Sequence, residues 1–229
     1  MNGKLSPLDA ILALFLPERC RVCHRSSATA LCPECLATVA YCGDEGDDGQ
    51  EGEPPCRSIC LYQQPVSGLI HRLKYGADRT VLPALAEIAG QGGLAVDDVC
   101  DLIIPVPLHI SRLQRRGLNQ ALVLARLFFP KRRQAIRYDL LIRHRPTIPQ
   151  TDLSGTARRQ NLSGAFSLTA ASKIIAGKRL LLVDDVRTTG STLAECSRVL
   201  LAKGAADVSC LTMARVDLPP VPALLGKAL

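Results

Sequence analysis

Two adjacent carboxylates, Asp184 and Asp185, stand directly before a loop rich in hydroxyl groups, residues 188–192. When such a loop opens a helix, its backbone N–H groups and hydroxyls favour a bound phosphate dianion. Carboxylates just before it can accept hydrogen bonds from vicinal hydroxyls or help to hold a hydrated Mg²⁺. A phosphate site beside a diol site predicts a ribose 5-phosphate ligand. The two carboxylates alone fit a solvated acidic turn better, but the complete string favours the binding site.

The elements on either side of this string are expected to hold it at one end of a sheet. Residues 180–183 are four consecutive branched apolar residues, typical of a strand buried on both faces of a parallel sheet. After the loop, Leu193, Cys196 and Leu200 repeat at helical spacing up to Gly204, a predicted C-cap. The pattern therefore predicts a strand, an acidic pair, a phosphate-sized loop and a helix.

The composition indicates a globular α/β protein. A chain of 229 residues can bury one good core and a small satellite module. Its 47% hydrophobic residues argue against disorder, and its 3% aromatic residues, without Trp, predict an aliphatic core. So few aromatic rings also weaken a base-stacking role on single-stranded nucleic acid.

The net charge of +7 is unevenly distributed. Residues 44–53 carry six acidic side chains and no basic one, whereas residues 112–159 carry twelve Arg or Lys against two Asp. So one-sided a basic stretch favours an anionic ligand, either pyrophosphate or nucleic acid, over a merely solvated surface.

Ten cysteines without a secretion signal indicate a reducing compartment and metal binding. Two Cys-x-x-Cys pairs separated by eight residues can form the tetrahedral four-sulfur shell that Zn²⁺ prefers. The predicted zinc ligands are Cys20, Cys23, Cys32 and Cys35. The compartment disfavours disulfides, and a redox site would need only one pair. Because the shell has no open coordination position, the zinc is expected to be structural.

The other six cysteines have different expected roles. Cys42, Cys56 and Cys60 flank the acidic segment, which is predicted to be a disordered insertion. They form either a degenerate second metal site or simply buried or free cysteines, and no second metal is expected. The cysteines in apolar contexts, predicted to be small core residues, are Cys100, Cys196 and Cys210.

Residues 8–16 are almost entirely apolar. The run is too short to span a bilayer, and no small-residue cleavage site follows it. Ser6 and Pro7 predict the capped start of a helix that packs on the core, with peripheral membrane contact as the alternative. No transmembrane segment is expected.

Two further helices are predicted, one after Pro65 and one at about residues 81–89. The apolar face of the first consists of Val66, Leu69, Ile70 and Leu73. Arg72 and Lys74, near its end, either offset the helix dipole at the surface or bind phosphate, and the sequence slightly favours the surface role.

A second buried strand is predicted at residues 101–107, where prolines end an apolar run. A basic loop with His109, Arg112 and Arg116 follows it. At the carboxyl end of a neighbouring parallel strand, this loop is expected to bind a second anionic group such as pyrophosphate.

Residues 143–166 form a long polar passage that includes Gln150, Arg158 and Asn161. Loops of this length are typical of lids and binding loops. A cationic lid could close over the ligand and stabilise departing charge, and the alternative is a flexible surface connection.

The string around the acidic pair resembles the phosphoribosyl pyrophosphate (PRPP) signature of type I phosphoribosyltransferases. The residues that match it are Asp184, Asp185, Val186, Arg187, Thr188, Thr189, Gly190, Ser191 and Thr192. The resemblance implies that residues 188–192 hold the 5-phosphate of PRPP. It also implies that Asp184 and Asp185, the candidate catalytic residues, contact the ribose hydroxyls.

The order of the parts narrows the resemblance to the ComF family. That order is the paired Cys-x-x-Cys motifs, the string Arg116-Gly117-Leu118-Asn119-Gln120, the polar passage and the PRPP signature. It implies a type I phosphoribosyltransferase-like α/β fold with a doubly wound, mostly parallel sheet and a small N-terminal zinc module. The expected domains are the zinc module at 1–62, the phosphoribosyltransferase-like domain at 63–216 and a Pro-rich tail at 217–229.

The family resemblance implies a cytoplasmic protein that binds PRPP with Mg²⁺ and helps to handle imported single-stranded DNA at the inner membrane, with other competence proteins as partners. Two alternatives stay open. One is a metabolic phosphoribosyltransferase with a nucleobase or amine acceptor, and the other is a non-enzymatic nucleic-acid-binding module. The sequence names no acceptor.

Overall fold

The structure, a computed structural model, describes residues 18–43, 53–93, 100–145, 162 and 164–217. Several predicted features lie outside these residues: the N-terminal helix, the acidic segment up to residue 52, and the tail from residue 218 onward. The predicted lid residues Gln150, Arg158 and Asn161 lie outside them as well.

The described chain alternates helices and strands. Its helices are α1 (Pro33–Ala37), α2 (Val66–Tyr75), α3 (Leu82–Gln91), α4 (Ile110–Arg116), α5 (Gln120–Phe128) and α6 (Ser191–Ala202). Its strands are β1 (Cys56–Leu61), β2 (Leu102–Pro105), β3 (Leu141–Arg143), β4 (Phe166–Leu168), β5 (Arg179–Arg187) and β6 (Asp207–Arg215). Short 3-10 helices lie at Arg79–Val81, Arg133–Ala135 and Ala170–Ile175.

Four strands form a parallel sheet in the order β1-β6-β5-β2, and β3 pairs with β4 in a separate antiparallel ribbon. Helices α2, α3 and α5 contribute to the apolar cluster on one face of the sheet, and α6 contributes to the cluster on the other. The predicted parallel α/β sheet with helices on both faces is confirmed. Because its strands run the same way, the carboxyl ends of β2 and β5 lie side by side.

Strand β5 forms where the branched apolar run was predicted, because both of its faces are buried. Alternate residues of that run lie in separate apolar clusters, Leu181 and Val183 in one and Leu180 and Leu182 in the other. The strand also continues beyond the run through the acidic pair, since β6 stays paired with it as far as Arg187. The two carboxylates therefore belong to the strand itself and are held by its hydrogen bonds.

The helices bury the faces that their periodicity predicted. The fully buried or nearly buried residues of these faces are Val66, Leu69, Ile70 and Leu73 of α2 and Leu193, Cys196 and Leu200 of α6. Cys100, Cys196 and Cys210 are buried, as predicted. Of the helices in the described ranges, none combines the length and apolar character needed to cross a membrane.

The cysteine-rich N-terminal part shares its core with the rest of the described chain. Cys20 and Leu31 lie in the same apolar cluster as Leu69 and Ile70 of α2. Strand β1, within the segment expected to form the zinc module, lies beside β6 at one edge of the main sheet. A substitution that unfolds the cysteine-rich part should therefore also destabilise the packing of the sheet.

Candidate functional site

The hydroxyl loop, defined as residues 188–192, connects β5 to α6 at the end of the sheet. Gly190 has a left-handed backbone with φ of 68° and forms the N-cap of α6. Beside it, the hydroxyl oxygens of Thr189 and Ser191 are 3.0 Å apart. The loop borders a cleft of about 20 Å³ that Asp184 also lines. A phosphate in this cleft would lie near the N-terminus of α6, where the helix dipole favours an anion.

The Glu53 carboxylate packs against Gly190 and pairs with Arg187, with 2.8 Å between Glu53 Oε2 and Arg187 Nη2. The side chain of Arg187 is 10% exposed and that of Glu53 is 8% exposed. A Cβ on residue 190 would collide with the carboxylate. Glycine is therefore needed at this position both for its left-handed backbone and for the close approach of Glu53.

Replacing Gly190 by alanine should destabilise the loop. A left-handed alanine costs about 1 kcal/mol, and the end of the Glu53 side chain must shift to admit the Cβ, which disturbs its ion pair with Arg187. We expect the free energy of unfolding to fall by roughly 1–2 kcal/mol in urea denaturation. Gly177→Ala is the matched control, because Gly177 has the same φ of 68° and a Cβ there meets nothing within 4 Å. Equal losses in the two variants would contradict the role of the Glu53 contact.

Asp185 forms an ion pair with Lys74 of α2, with 3.0 Å between Lys74 Nζ and Asp185 Oδ1. Both side chains are largely buried, so solvent screens the pair little. Lys74 is therefore part of the site, and the slightly favoured surface role is wrong for it. The reason is that α2 packs on the sheet with its last turn beside the end of β5.

Asp184 lies next to this pair, and its Oδ1 accepts a hydrogen bond of 2.8 Å from the Asp185 N–H. Burial raises the pKa of Asp184 to about 7, and the neighbouring Asp185 carboxylate adds to the rise. Lys74, Arg143 and the hydrogen bond from Asp185 oppose it. The charged form of Asp184 is therefore disfavoured until a cation or a hydrogen-bond donor binds there.

This raised pKa predicts a pH-dependent gain in stability for Asp184→Asn. The folded pKa of about 7 exceeds the ordinary value of 3.8, so the stability contributed by Asp184 is lost as the pH rises through about 7. We expect the advantage of the variant, in free energy of unfolding, to grow by roughly 1–2 kcal/mol between pH 5 and pH 8. Urea denaturation at both pH values measures it.

Asp139→Asn is the control for that experiment. Asp139 pairs with Arg137 at 2.6 Å, and the Arg137 guanidinium, as donor, lowers its pKa. Its stabilising charge is thus present throughout this pH range, and the effect of Asp139→Asn should not change between pH 5 and pH 8. If the effect of Asp184→Asn on the free energy of unfolding were also the same at pH 5 and pH 8, the raised pKa of Asp184 would be contradicted.

A cavity of about 140 Å³ opens beside the acidic pair. We call it the cation cavity, and its charged lining residues are Lys74, Arg112, Arg116, Arg143, Asp184 and Asp185. Four cations face two carboxylates, so the charges favour an anionic ligand. Asp184 and Thr192 line both the cation cavity and the cleft at the hydroxyl loop, so the two spaces share a wall.

The guanidinium groups of the cation cavity lie close enough to repel one another. Burial lowers the pKa of Arg112, and the nearby charges of Arg116 and Arg115 lower it further. Burial also lowers the pKa of Arg143, with repulsion from Arg112 as a second cause. A bound polyanion would relieve this repulsion, which is the electrostatic signature of an anion site.

The structure brings together two of the three residues expected to bind pyrophosphate. Arg112 and Arg116 line the cation cavity, whereas His109 is not among its lining residues. His109 instead forms the N-cap of α4, where its Nδ1 accepts a hydrogen bond of 3.3 Å from the Ser111 N–H. In this structure His109 positions the helix that carries the two arginines.

Three of the cavity residues are not assigned to the anion site by the sequence alone. The sequence favours Lys74 as a surface base, places Arg143 in the lid passage and gives Gln120 no role. For Gln120 a signal existed, since it ends the Arg-Gly-x-Asn-Gln string. For Lys74 no local signal exists, because its partner Asp185 is distant along the chain.

The cysteine cluster, defined as Cys20, Cys23, Cys32 and Cys35, brings its four sulfur atoms within 4.8 Å of one another. The Sγ atoms of Cys23 and Cys32 are 3.6 Å apart. Tetrahedral zinc with Zn–S bonds of about 2.3 Å requires S···S separations of about 3.8 Å. The cluster thus has the number, type and spacing of ligands that zinc takes.

The thiols of the cysteine cluster do not titrate alike. Burial tends to raise the pKa of Cys20, but hydrogen bonds from the backbone N–H groups of Cys32, Cys23 and Val22 outweigh it and lower the pKa to about 6. For Cys32, a backbone hydrogen bond from Cys35 is outweighed by Glu34, burial and neighbouring thiols, which raise the pKa to about 12. Four thiolates at such distances repel one another, so a bound cation is needed to keep them all ionised.

Helix α2 contacts both the cysteine cluster and the acidic pair. Arg72 donates a hydrogen bond through Nη1 to the backbone carbonyl of Arg21, between the first two cysteines. The same guanidinium pairs with Asp78 at 2.7 Å. Less than one helical turn further on, Lys74 pairs with Asp185. A single rigid element therefore joins the two sites.

One domain family and several named proteins match this chain. Residues 113–217 match the phosphoribosyl transferase domain family. The DNA utilization protein YhgH of Salmonella typhimurium is 33% identical over 206 residues, which cover 86% of this chain and 89% of the relative. Competence protein F of Haemophilus influenzae is 32% identical over 234 residues, covering 88% and 98%. Competence protein ComFC of Bacillus subtilis is 28% identical over 162 residues, covering 69% and 63%.

Proposed function

Because the chain belongs to the ComF family, we propose that it is a magnesium-dependent PRPP-binding protein with a phosphoribosyltransferase-like site that assists DNA uptake. The observation that carries this proposal is the wall shared by the cation cavity and the cleft at the hydroxyl loop. PRPP presents a 5-phosphate, a ribose diol and a pyrophosphate. A phosphate loop, a carboxylate pair and a cation cluster lie next to one another in the same order, which supports a single ligand for all three.

Each part of PRPP has a chemically matched partner in this proposal. The 5-phosphate binds the hydroxyl loop, residues 188–192, at the N-terminus of α6. The ribose hydroxyls donate hydrogen bonds to Asp184 and Asp185. The pyrophosphate binds among Arg112, Arg116 and Arg143 in the cation cavity.

Magnesium fits the donor set of the site. Asp184 and Asp185 offer hard carboxylate oxygens, which Mg²⁺ prefers together with water and phosphate oxygens. One oxygen of each carboxylate is engaged, by the Asp185 N–H and by Lys74 respectively, and as far as the described residues show, the other is available to a ligand or a metal. When bound, Mg²⁺ would supply neutralising charge to the pyrophosphate oxygens.

If the protein transfers the phosphoribosyl group, the bond between C1 and the pyrophosphate oxygen breaks, both of its electrons leave with pyrophosphate, and a lone pair of the acceptor forms the new bond to C1. The arginines of the cation cavity would stabilise this developing negative charge. The acidic pair would favour the positive charge that develops on the ribose ring. Gln150, Arg158 and Asn161 are proposed to close over the ligand and exclude water.

We assign zinc to the cysteine cluster as a structural ion. The fit of four thiols to a closed tetrahedral shell supports it, and the shared core with α2 explains what the ion would stabilise. A protein that keeps reduced cysteines and binds PRPP belongs in the cytoplasm.

The role in DNA uptake rests on the relatives. One of them is named a DNA utilization protein and another a competence protein. We infer that this protein handles imported single-stranded DNA at the inner membrane, together with other competence proteins. The basic stretch of residues 112–159 supports contact with a phosphate backbone.

Calorimetric titration of the metal-loaded protein with PRPP, with and without Mg²⁺, tests the proposal. Binding that requires Mg²⁺ is expected, with ribose 5-phosphate binding more weakly because it lacks the pyrophosphate. A folded, metal-loaded protein that binds no PRPP under either condition would contradict the proposed ligand. An acceptor screen for pyrophosphate release then separates a transferase from a binding protein.

Nucleic-acid binding without catalysis is the second candidate, and one surface observation favours it. The Arg116 guanidinium lies 5.3 Å from the ring centroid of Tyr75, which is 62% exposed. The His71 ring lies beside the same ring, with 4.6 Å between the centroids and a tilt of 41°. An aromatic ring beside cations is suited to single-stranded DNA. Affinity for a dT oligonucleotide should then fall steeply with salt and be reduced in an Arg158→Gln/Arg159→Gln variant; affinity independent of salt would exclude it.

A further inference from the structure

Gln120 is a buried polar residue that the proposed function has not yet used. It is the first residue of α5, it is only 1% exposed, and it lines the cation cavity. Its side-chain Nε2 has no hydrogen-bond partner within the part of the chain that the structure describes. A buried N–H without an acceptor is unfavourable, so its position inside a cavity calls for an explanation.

The neighbours of Gln120 determine which atom of its side-chain amide remains available to a ligand. Arg116 Nη1 donates to Gln120 Oε1 at 3.3 Å, which leaves the amide N–H groups as the unused end. The backbone beneath is held by Asn119, whose Oδ1 accepts from the Ala121 and Leu122 N–H groups at 3.0 and 3.4 Å. Asn119 Nδ2 also donates to the Val106 carbonyl at 3.1 Å, which ties α5 to the segment after β2. Gln120 is thus anchored before any ligand arrives.

The lining residues that the structure describes provide no acceptor that reaches that amide. The arginines and the lysine of the cavity are donors only, and neither Asp184 nor Asp185 accepts a hydrogen bond from Gln120 Nε2. An oxygen that enters with the ligand is therefore the natural acceptor. Among three guanidinium groups, an oxygen of a phosphate group is the chemistry that the surroundings favour.

We propose that Gln120 is a ligand-binding residue whose side-chain N–H donates to a pyrophosphate oxygen of PRPP. This inference rests on the proposed function and adds a specificity residue to it. Arginines attract any anion, whereas a neutral amide adds a fixed direction without charge. Gln120 therefore favours a pyrophosphate seated in one orientation over other anions of similar charge.

Binding of three ligands to Gln120 variants tests the inference by calorimetry with Mg²⁺: PRPP, inorganic pyrophosphate and ribose 5-phosphate. Gln120→Met keeps the size of the side chain but removes the donor, and it should weaken PRPP and pyrophosphate about tenfold or more. Ribose 5-phosphate, which lacks the pyrophosphate, should bind within about twofold of wild type. Gln120→Glu places a charge against the pyrophosphate and should weaken the same two ligands further.

Thermal unfolding of the same variants separates binding from structure. Gln120→Met removes an unpaired buried donor but also the acceptor of the Arg116 hydrogen bond, so the two effects oppose each other and its melting temperature should stay within a few degrees of that of wild type. Arg115→Gln, an exposed residue of α4 outside the cavity lining, is the control for charge alone. Unchanged pyrophosphate affinity in Gln120→Met, or an equal loss for all three ligands, would overturn the inference while PRPP binding by wild type still upheld the proposed function. Absence of PRPP binding by wild type itself would overturn both.

Discussion

Replacing both Asp184 and Asp185 by asparagine is expected to weaken magnesium-dependent PRPP binding at least about 100-fold. Asparagine keeps the shape of the side chain but loses the charge that holds the ribose hydroxyls and a magnesium ion. Asp184 lines both the cleft at the hydroxyl loop and the cation cavity, and Asp185 lines the cavity. Among the described residues that line the cavity, no other acidic side chain is present to replace them. Calorimetric titration with PRPP and Mg²⁺ measures the loss.

Inorganic pyrophosphate provides the internal control for that variant. Without the two carboxylates, the cation cavity keeps Lys74 and its arginines and becomes more positive. Pyrophosphate without Mg²⁺ should therefore bind as well as, or better than, it binds to wild type. Asp139→Asn, which is not among the residues lining the cavity, should leave both ligands unaffected. PRPP binding that survives in the double variant would contradict the assignment of the acidic pair.

Removing the zinc that we propose for the cysteine cluster is expected to destabilise the whole described chain and not only its N-terminal part. Cys20 and Leu31 belong to the apolar cluster that contains Leu69 and Ile70. Without the metal, the segment that carries Cys20 and Leu31 would no longer be held against this core. Structural zinc contributes about 10–16 kcal/mol of apparent binding free energy in isolated zinc modules. We therefore expect Cys20→Ser, or a strong chelator, to lower the melting temperature by more than about 10 °C.

Cys42→Ser is the matched control, because Cys42 lies outside the cysteine cluster and is half-buried. It should keep about one zinc per chain in elemental analysis and melt close to wild type. Cys20→Ser should bind no zinc, and its whole described chain should unfold in one transition at a lower melting temperature. If the sheet melted at the same temperature with and without zinc, the claim that the cysteine-rich part and the sheet share one core would be contradicted.

The sequence predicts best those elements whose burial is local. Four branched apolar residues predict the central strand β5, and the spacing of Leu193, Cys196 and Leu200 predicts the buried face of α6. The cysteine cluster follows from spacing alone, since two short knuckles can present their thiols to one ion in many folds. In each case the physical cause lies within a short stretch of chain, which is about sixteen residues for the cysteine cluster and shorter for the strand and the helix face.

The remaining parts depend on contacts between distant segments. Strand β1 carries Cys56 and Cys60, which gave no strand signal beside the acidic segment, yet pairing with β6 makes it part of the sheet. Lys74 enters the site because α2 packs beside the end of β5, and no periodicity reports such a contact. Burial of Gln120 likewise results from where α5 lies on the sheet, since a glutamine at a helix start is usually exposed.

The position of α2 between Arg21 and Asp185 has a thermodynamic consequence. Arg72 donates a hydrogen bond to the backbone between the first two cysteines, and Lys74 forms an ion pair with Asp185. The position of α2 therefore affects the geometry of both sites. Two binding events that favour the same position of one rigid element are coupled, and the coupling is reciprocal. Zinc should therefore tighten the binding of PRPP by the same factor by which PRPP tightens the binding of zinc.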